Sequence, residues 1–230
     1  MKYVVKLSAE ITIKTRPVRK RFTQRLHTNI KRLLRRRALS ANVILRWDMI
    51  EIDIDPTHHE PIEDYQQRIA RVADELVRVP GIAHFLLVDE FDLALEDYTD
   101  SASAIAAVVD QVLPIYGDRL AGQSFVVRCK RAGRHCFTSH DIERHVGAAL
   151  LVATPTASVK MRDPTTTVAL EIKHQRLFVV RERLQGLGGY PLGTVGPVLS
   201  LVSGGFDSCV ASYDVIRRGM ETHYLSLIHI

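Results

Sequence analysis

A pair of adjacent glycines constrains the fold of this chain more than any other feature of its sequence. Gly204 and Gly205 follow the apolar run 199–202 and precede Cys209–Arg218, whose pattern is typical of a helix that Gly219 ends. A strand, a tight glycine turn and a helix in this order leave the first N–H groups of the helix unpaired, at the positive end of its dipole. The segment therefore predicts a phosphate-binding loop.

This glycine loop differs from the two common nucleotide-binding motifs. It has no lysine, which the GxxxxGKS/T loop requires, and its glycines are adjacent, unlike those of the GxGxxG fingerprint. Ser203 and Ser208 can add hydroxyl donors. Asp207 falls in the first helical turn, where the dipole favours a carboxylate even without a ligand. The alternative is a plain loop before a helix, but the flanking strand and helix favour phosphate binding.

A block of positive charge occupies much of the N-terminal region. Residues 11–47 contain twelve Lys or Arg residues and no Asp or Glu. Thr15 and Pro17 indicate the start of a helix. Apolar residues that recur at helical spacing are Val18, Phe22, Leu26, Ile30 and Leu33 with Leu34. The other face is cationic and repels itself unless a counter-charge arrives, which favours RNA over the alternative of a solvated surface.

Strands and helices alternate along the rest of the chain, which predicts an α/β protein built of α+β modules. Strand-like runs at Tyr3–Leu7, Asn42–Trp47 and Ile50–Ile54 flank the basic helix, so a small domain is expected over residues 1–57. A helix that Pro80-Gly81 ends opens a second domain over residues 58–174. Its further expected elements are a strand at Phe85–Val88, a helix within Ser101–Tyr116, a strand at Ser124–Cys129, a helix from Ser139 to about Val152 and a hairpin of Thr166–Ile172 with Leu177–Val180.

The C-terminal part is expected to begin a third unit. The Gly-rich stretch Gln185–Pro197 indicates an ordered linker within residues 175–197. Residues 198–230 then supply the glycine loop, its helix and a strand near Thr222–Ile228. An open α/β nucleotide site is built from several adjacent strands, so this third unit is expected to be incomplete.

Composition narrows the class of protein. The formal net charge of +5 and the pI near 9.2 favour a polyanionic partner. No apolar stretch is long enough to span a membrane, and no targeting segment is visible. The three cysteines have no framework spacing, which indicates a reducing compartment and places the protein in the cytoplasm. Cys129, His135, Cys136, His140 and His145 lack the spacing of zinc ligands, so no metal site is predicted there.

Several segments together resemble the bacterial tRNA 4-thiouridine synthases, also called tRNA sulfurtransferases. The hexapeptide Ser203–Ser208 is similar to the SGGxDS motif of PP-loop ATP pyrophosphatases. Other matching segments are Lys6-Leu7 with Glu10–Lys14, Val79–Ile82, Val127–His135 with Ser139, Gly186–Thr194 and Leu199–Val202. The resemblance runs through almost the whole chain. It implies a ferredoxin-like domain over 1–57, a THUMP domain over 58–174, a linker over 175–197 and the start of a PP-loop domain over 198–230.

The resemblance also implies an activity. Members adenylate the uridine at tRNA position 8 with ATP and Mg²⁺, and then replace its oxygen with persulfide sulfur from a cysteine desulfurase. They also supply sulfur to a thiazole-pathway carrier for thiamine, and they form homodimers. ATP is expected to bind at Leu201, Val202, Ser203, Gly204, Gly205, Phe206, Asp207 and Ser208. The family's catalytic cysteines lie beyond Ile230, so no catalytic residue is assigned and this chain alone is expected to be inactive.

Two basic segments are the expected RNA contacts. The first is the start of the basic helix, and the second resembles the THUMP surface motif. Their residues are Lys14, Arg16, Arg19, Lys20, Arg21, Lys130, Arg131, Arg134 and His135. Trp47 is expected in the core, so phosphates and shape rather than stacked bases should dominate recognition. His58 and His59 are expected in solvent. Two other functions remain open, a non-catalytic RNA-binding module and a PP-loop enzyme that acts on a small metabolite.

Overall fold

The computed structural model describes residues 1–93 and 100–226, which fold into two compact units. In chain order the elements are β1 (Lys2–Leu7), α1 (Ala9–Thr12), α2 (Arg16–Arg36), β2 (Asn42–Leu45), β3 (Met49–Asp53), α3 (Ile62–Leu76), β4 (Ile82–Asp92), α4 (Ser101–Tyr116), β5 (Ser124–Ala132), α5 (Ser139–Ala153), β6 (Ser158–Val159), β7 (Thr166–Lys173), β8 (Arg176–Gln185), β9 (Val195–Val202), α6 (Phe206–Arg217) and β10 (Met220–Ser226). The first unit comprises Met1–Leu87 and Arg183–Ile230, and the second comprises Val88–Glu182. Strands β4 and β8 each contribute residues to both units.

The first unit contains an antiparallel sheet covered by two amphipathic helices. The strand order is β2-β3-β1-β4, with β1 and β2 both antiparallel to β3. Helix α2 buries Leu26 and Ile30 against sheet residues such as Val5, as the helical spacing predicts. Its start is also as expected, since Thr15 is the N-cap and Pro17 lies in the first turn, although Thr15 makes no side-chain cap hydrogen bond.

The boundary of the first unit differs from the one expected from the sequence. Helix α3 was assigned to a second domain that begins at residue 58, but Tyr65, Ile69 and Val72 lie in the same core as the sheet of the first unit. The division into units falls after Leu87. The apolar stripe of α3 was visible in the sequence, but a stripe does not indicate which sheet it will cover.

The second unit has its own core, formed by a mixed sheet and the helices α4 and α5. The strand order is β4-β8-β7-β5-β6. The predicted hairpin is confirmed, because β7 and β8 pair antiparallel and turn between Lys173 and Arg176. Strand β5 lies parallel to β7. Helix α5 begins with a reciprocal capping box between Thr138 and Asp141, which fixes its first turn.

The predicted strand, glycine turn and helix near the end of the chain are present, with shifted ends. Strand β9 begins at Val195 and helix α6 at Phe206, earlier than the sequence pattern indicated. Strand β10 lies parallel to β9, so the three elements form a β-α-β unit. The expected strand near Thr222–Ile228 is observed as Met220–Ser226, and residues 227–230 lie outside the described residues.

The linker expected over residues 175–197 is shorter in the structure, and backbone hydrogen bonds attach it to the rest of the first unit. Strands β8 and β9 occupy both of its ends and leave 186–194 without regular structure. Within this stretch the Gly188 carbonyl accepts a hydrogen bond from the Gly81 amide at 2.7 Å, and the Gly188 amide donates to Ile82 at 2.7 Å. Further along, the Tyr190 amide donates to the Arg217 carbonyl at 2.8 Å. The linker therefore connects the ferredoxin-like sheet to the end of α6.

Two negative findings concern residues 1–93 and 100–226. No helix in these ranges combines the length and the apolar character that a membrane crossing requires. The same residues contain no group of three His, Cys, Asp or Glu side chains arranged to hold a metal ion.

Candidate phosphate loop and RNA-binding surfaces

The glycine loop lies at the junction between β9 and α6, where its residues are exposed. Gly204 has a φ of +79°, a conformation that favours glycine, and Gly205 is the extended N-cap of α6. Ser203, Gly204 and Gly205 are all exposed. A Cβ added to Gly205 would meet only Ser203 Oγ, at 3.9 Å, so the space beside the loop is open. This arrangement can bind a phosphate through backbone N–H groups at a helix N-terminus.

The two serines of the loop differ in what they can offer to a ligand. Ser208 Oγ donates to the Gly205 carbonyl at 2.8 Å, so this hydroxyl stabilises the start of α6. Ser212 Oγ donates to the Ser208 carbonyl at 2.6 Å and lies 2.7 Å from Ser200 Oγ of β9. The side chain of Ser203 is exposed. Ser203 is therefore the serine hydroxyl more available to a phosphate.

The other expected ATP-binding residues lie where the chain enters and leaves the loop. Leu201 and Val202 are the last residues of β9 and pair with Leu225 and Ser226 of β10. Phe206 is the first residue of α6 and is 91% exposed, and Asp207 is an exposed carboxylate in the first turn. The contiguous residues 201–208 therefore form one surface at the carboxyl end of the strand, which is where open α/β sheets bind ligands.

The start of α2 forms the first cationic surface. Arg16, Lys20 and Arg21 are exposed, and Lys14 and Arg19 are half-buried. Lys14 Nζ lies 5.3 Å from the ring centroid of Tyr190, so this lysine also contacts the linker. Because the helix buries only its apolar stripe, these side chains remain on the solvent side and can reach a polyanion.

Trp47 is not in the core, contrary to the expectation from the sequence. It lies in the tight connection between β2 and β3 and is 69% exposed. Arg16 covers its ring, with the guanidinium carbon 4.8 Å from the ring centroid. Apolar composition predicted burial, but the connection is too short to turn the indole back into the core. Trp47 therefore extends the basic surface with an accessible aromatic face.

The second cationic surface is formed by the end of β5 and the turn that follows it in the second unit. Lys130 of β5 and Arg134 of the turn are exposed, and in the described residues neither forms an ion pair. Gly133 has a φ of +114°, and an added Cβ would meet His135 and His174 at 3.2 Å. This glycine therefore allows the turn to fold tightly.

Arg131 and His135 are engaged within the same turn. His135 Nε2 lies 2.7 Å from the His174 carbonyl, so this nitrogen must donate, and Nδ1 then accepts from Arg131 Nη1 at 3.0 Å. The ring of His135 stacks on Phe137 with centroids 5.2 Å apart. Arg131 Nε is buried without a hydrogen-bond partner in the described part of the chain. Both residues hold the turn in shape, with part of Arg131 still accessible.

Two cysteines near this turn, and two histidines of the first unit, differ in their surroundings. Cys129 is buried, and its amide donates to Glu143 Oε1 at 2.9 Å. Burial, followed by the nearby Glu143 carboxylate, raises the pKa of the Cys129 thiol to about 11. Cys136 is exposed, and its Sγ lies 3.6 Å from the Asp100 carbonyl oxygen. His58 and His59 are exposed, as expected, and their rings stack on each other.

Comparison with known protein families identifies three consecutive domains. Residues 2–85 match the ThiI ferredoxin-like domain, residues 101–181 match the THUMP domain, and residues 193–230 match the thiamine biosynthesis protein (ThiI) family. The fold and the glycine loop thus define a class of proteins in which ferredoxin-like and THUMP domains precede the start of a parallel-sheet PP-loop domain. The predicted fold class is confirmed.

Curated relatives narrow this class to one family. A tRNA sulfurtransferase of Shewanella piezotolerans (strain WP3) is 43% identical over 224 residues, which cover 97% of this chain and 43% of the relative. A tRNA sulfurtransferase of Shewanella oneidensis is 42% identical over 224 residues, which again cover 97% of this chain and 43% of the relative. The chain belongs to the ThiI family, whose models match residues 2–85 and 193–230, and it spans less than half the length of these tRNA sulfurtransferases.

Two solved structures share the fold. The crystal structure of a 4-thiouridine synthetase–RNA complex with bound ATP matches with a TM-score of 0.71 at 24% identity, covering 98% of this chain and 52% of that one. The protein PH1313 from Pyrococcus horikoshii Ot3 matches with a TM-score of 0.73 at 20% identity, covering 98% and 68% of the two chains. At these identities the likeness concerns the fold.

Proposed function

We propose that this chain forms the tRNA-binding and ATP-phosphate-binding part of a tRNA sulfurtransferase that makes 4-thiouridine at tRNA position 8. The relatives at 42–43% identity are named tRNA sulfurtransferases, and a solved structure of similar fold is a 4-thiouridine synthetase with RNA and ATP. The observation that carries the proposal is the exposed loop at the β9–α6 junction, where Gly204 has a φ of +79°. The same chain has a long helix, α2, whose charged residues are all Lys or Arg.

The loop residues suit the phosphates of ATP. ATP supplies the adenylyl group that turns the oxygen of the target uridine into a leaving group. The exposed amides of Gly204 and Gly205 bind phosphate oxygens, and the positive end of the α6 dipole stabilises their charge. Ser203 adds a hydroxyl donor, and the exposed carboxylate of Asp207 in the first turn of α6 would hold the Mg²⁺ that accompanies the phosphates. Leu201, Val202, Phe206 and Ser208 complete this ATP surface.

The cationic surfaces bind the tRNA. Lys14, Arg16, Arg19, Lys20 and Arg21 contact phosphates from the first unit, and Lys130 and Arg134 do so from the second. Arg131 contributes its accessible part and His135 keeps the turn folded. Phosphate contacts fix the position of an RNA without reading its bases, which suits an enzyme that acts on one nucleotide of a folded transcript.

Family membership supports a proposal for sulfur transfer and assembly. We assign the sulfur donor as a cysteine desulfurase that passes on a persulfide, with a thiazole-pathway carrier as a second acceptor, and we assign the protein to the cytoplasm as a homodimer. A persulfide is a strong nucleophile near neutral pH and can displace an adenylated oxygen. Cys129, Cys136 and Cys209 have no role in this step.

The ATP loop is tested by the variant Gly204→Val in the full-length protein. A side chain at Gly204 disfavours its positive φ and crowds the amides, so ATP-dependent 4-thiouridine formation should fall by more than about 10-fold, or about 1.4 kcal/mol. The matched control is Gly122→Val, because Gly122 has a φ of +69° and an added Cβ there meets nothing within 4 Å. Nucleoside mass spectrometry of the tRNA measures the product.

Three outcomes separate the competing functions. Loss of thiolation in Gly204→Val with unchanged tRNA affinity supports the proposal. Tight tRNA binding by a wild-type protein that shows no ATP-dependent thiolation would favour a non-catalytic RNA-binding module. Absence of tRNA binding together with ATP consumption on a small metabolite would favour the metabolite enzyme and reject the proposal.

A further inference from the structure

A pocket of about 230 Å³ lies beside the C-terminal half of α2, away from the residues assigned to RNA above. Leu33 and Val79 form part of its apolar lining, and Arg32, Arg36 and Arg78 supply its cations. Arg32 and Arg36 are one helical turn apart on α2, and Arg78 comes from the segment that follows α3. Two separate elements thus bring three guanidinium groups to one small cavity.

The three arginines are all exposed, and within residues 1–93 and 100–226 none of them forms an ion pair. The neighbouring carboxylate Glu75 is paired with Arg37 instead, at 2.9 Å. Like charges placed together repel each other and raise the free energy of the folded protein unless an anion is bound between them.

One carboxylate, Glu221, also lines the pocket and must be weighed against these cations. With three arginines and this one carboxylate in its lining, the pocket keeps a formal charge of +2.

We propose that this arginine pocket, defined by Arg32, Arg36 and Arg78, binds a backbone phosphate of the RNA. The inference deepens the proposed function and rests on it, because it adds a contact to the same partner. Guanidinium groups donate two parallel hydrogen bonds to phosphate oxygens, and an apolar lining reduces the competition from water. Helix α2 has 21 residues and is about 30 Å long. One RNA can therefore contact Lys14–Arg21 at the start of the helix and the pocket near its end.

The test compares two pairs of substitutions on the same helix. Arg32→Ala with Arg36→Ala removes two pocket cations, while the control, Lys31→Ala with Arg35→Ala, removes equal charge at exposed positions outside the pocket. A second comparison sets Arg78→Ala against Arg71→Ala. The measurement is the dissociation constant of this chain for folded tRNA at several salt concentrations, with the circular dichroism spectrum as a check of folding.

Loss of a phosphate contact reduces the slope of log affinity against log salt by about 0.7–0.9. The pocket pair should lower tRNA affinity about 10-fold at low salt and reduce the slope by about one, and the control pair should lower affinity less than about 3-fold. Equal effects of the two pairs would reject phosphate binding by the arginine pocket and would leave the proposed function unaffected. Absence of tRNA binding by the wild-type chain would reject the proposed function itself. Unchanged tRNA affinity with loss of binding to a poly-glutamate peptide would indicate an acidic protein partner and overturn the RNA assignment.

Discussion

The guanidinium carbon of Arg16 lies 4.8 Å from the ring centroid of Trp47, on the surface of the first unit. This cation–π contact orders two exposed side chains at the start of the basic helix. It joins the positive charge that phosphates require to an aromatic face on which an unpaired base can stack. The sequence placed Trp47 in the core, so this combination was not anticipated.

Replacement of Trp47 tests whether its exposed ring contacts RNA. Stacking of a base on an aromatic side chain contributes about 1–3 kcal/mol, so Trp47→Ala should weaken tRNA binding by about 5- to 150-fold. Trp47→Phe retains an aromatic face and should lose less. Because the side chain is 69% exposed, thermal unfolding should change little in either variant. Equal tRNA affinity of Trp47→Ala and the wild-type chain, measured by filter binding, would exclude a stacking role.

The linker can be tested with two adjacent glycines that share a backbone conformation but differ in their surroundings. Gly188 and Gly189 have φ of +70° and +74°. An added Cβ on Gly189 would lie 2.1 Å from the Arg217 carbonyl oxygen, whereas on Gly188 its nearest neighbour is Arg217 Nη2 at 3.7 Å. Gly188→Ala should cost about 1–2 kcal/mol of unfolding free energy from its backbone conformation. Gly189→Ala should cost about 1–3 kcal/mol more, because it also forces the linker away from α6.

Urea denaturation of the two linker variants measures this difference. Protection of the α6 amides in hydrogen exchange should fall in Gly189→Ala and stay close to wild type in Gly188→Ala. Equal destabilisation of the two variants would show that the close approach to Arg217 does not hold the linker in place.

A bidentate ion pair between Arg68 and Glu60 makes the stability of the first unit depend on pH. Arg68 Nε and Nη2 donate to the two carboxylate oxygens of Glu60 at 2.9 and 2.7 Å, and the Thr57 amide donates to the same carboxylate at 2.9 Å. The Arg68 hydrogen bonds, followed by that of Thr57, lower the pKa of Glu60 from 4.5 to about 2. Because the folded-state pKa is lowered, this contribution to stability is present above about pH 4.5 and is lost as the pH falls towards 2.

The variant Glu60→Gln tests this pH dependence. Its urea midpoint should lie below that of the wild type at pH 6, and the two should converge as the pH approaches 2. Glu63→Gln, which removes the same charge from an exposed position at the start of α3, should follow the wild type throughout. A difference between Glu60→Gln and the wild type that stays constant from pH 6 to pH 2.5 would contradict the assignment.

The three cysteines should differ in their reactivity. Cys129 is buried and its pKa is raised to about 11, whereas Cys136 and Cys209 are exposed. Because the thiolate is the reactive form, iodoacetamide at pH 8 should modify Cys136 and Cys209 in the folded protein and leave Cys129 intact. Peptide mass spectrometry identifies the labelled residues, and denatured protein should be labelled at all three. Rapid labelling of Cys129 in the folded protein would be inconsistent with its burial.

Short-range patterns in the sequence predicted the elements well, whereas their grouping required the structure. The helical spacing of Phe22, Leu26 and Ile30 identified the buried face of α2, and the hairpin of β7 and β8 was recognised from strand patterns and turn residues. Such signals depend on neighbours a few residues away. The assignment of α3 to the first core depends on contacts between distant parts of the chain, for which the amphipathic pattern carries no information.

The candidate sites show the same division. The glycines at 204 and 205 predicted a tight turn before a helix, and the structure has this turn at the β9–α6 junction, because only a few residue types allow the backbone to turn so tightly there. The sequence equally suggested that Arg131 and His135 face the RNA, but the structure engages them with each other and with the His174 carbonyl. Lys130 and Arg134 keep their charges in solvent. Formal charge does not reveal which cations are already bound within the protein.

The amino-acid sequence by itself determined the family, the order of the domains and the order of strand, glycine turn and helix around the loop, since these depend on residue type and local spacing. Only the tertiary structure decided that Trp47 lies in solvent beside Arg16, that the linker joins the first sheet to α6, and that arginines from two elements surround one pocket. The reason is that burial and proximity arise when segments far apart in the chain pack together. The free energy of that packing belongs to the whole fold and to no single segment.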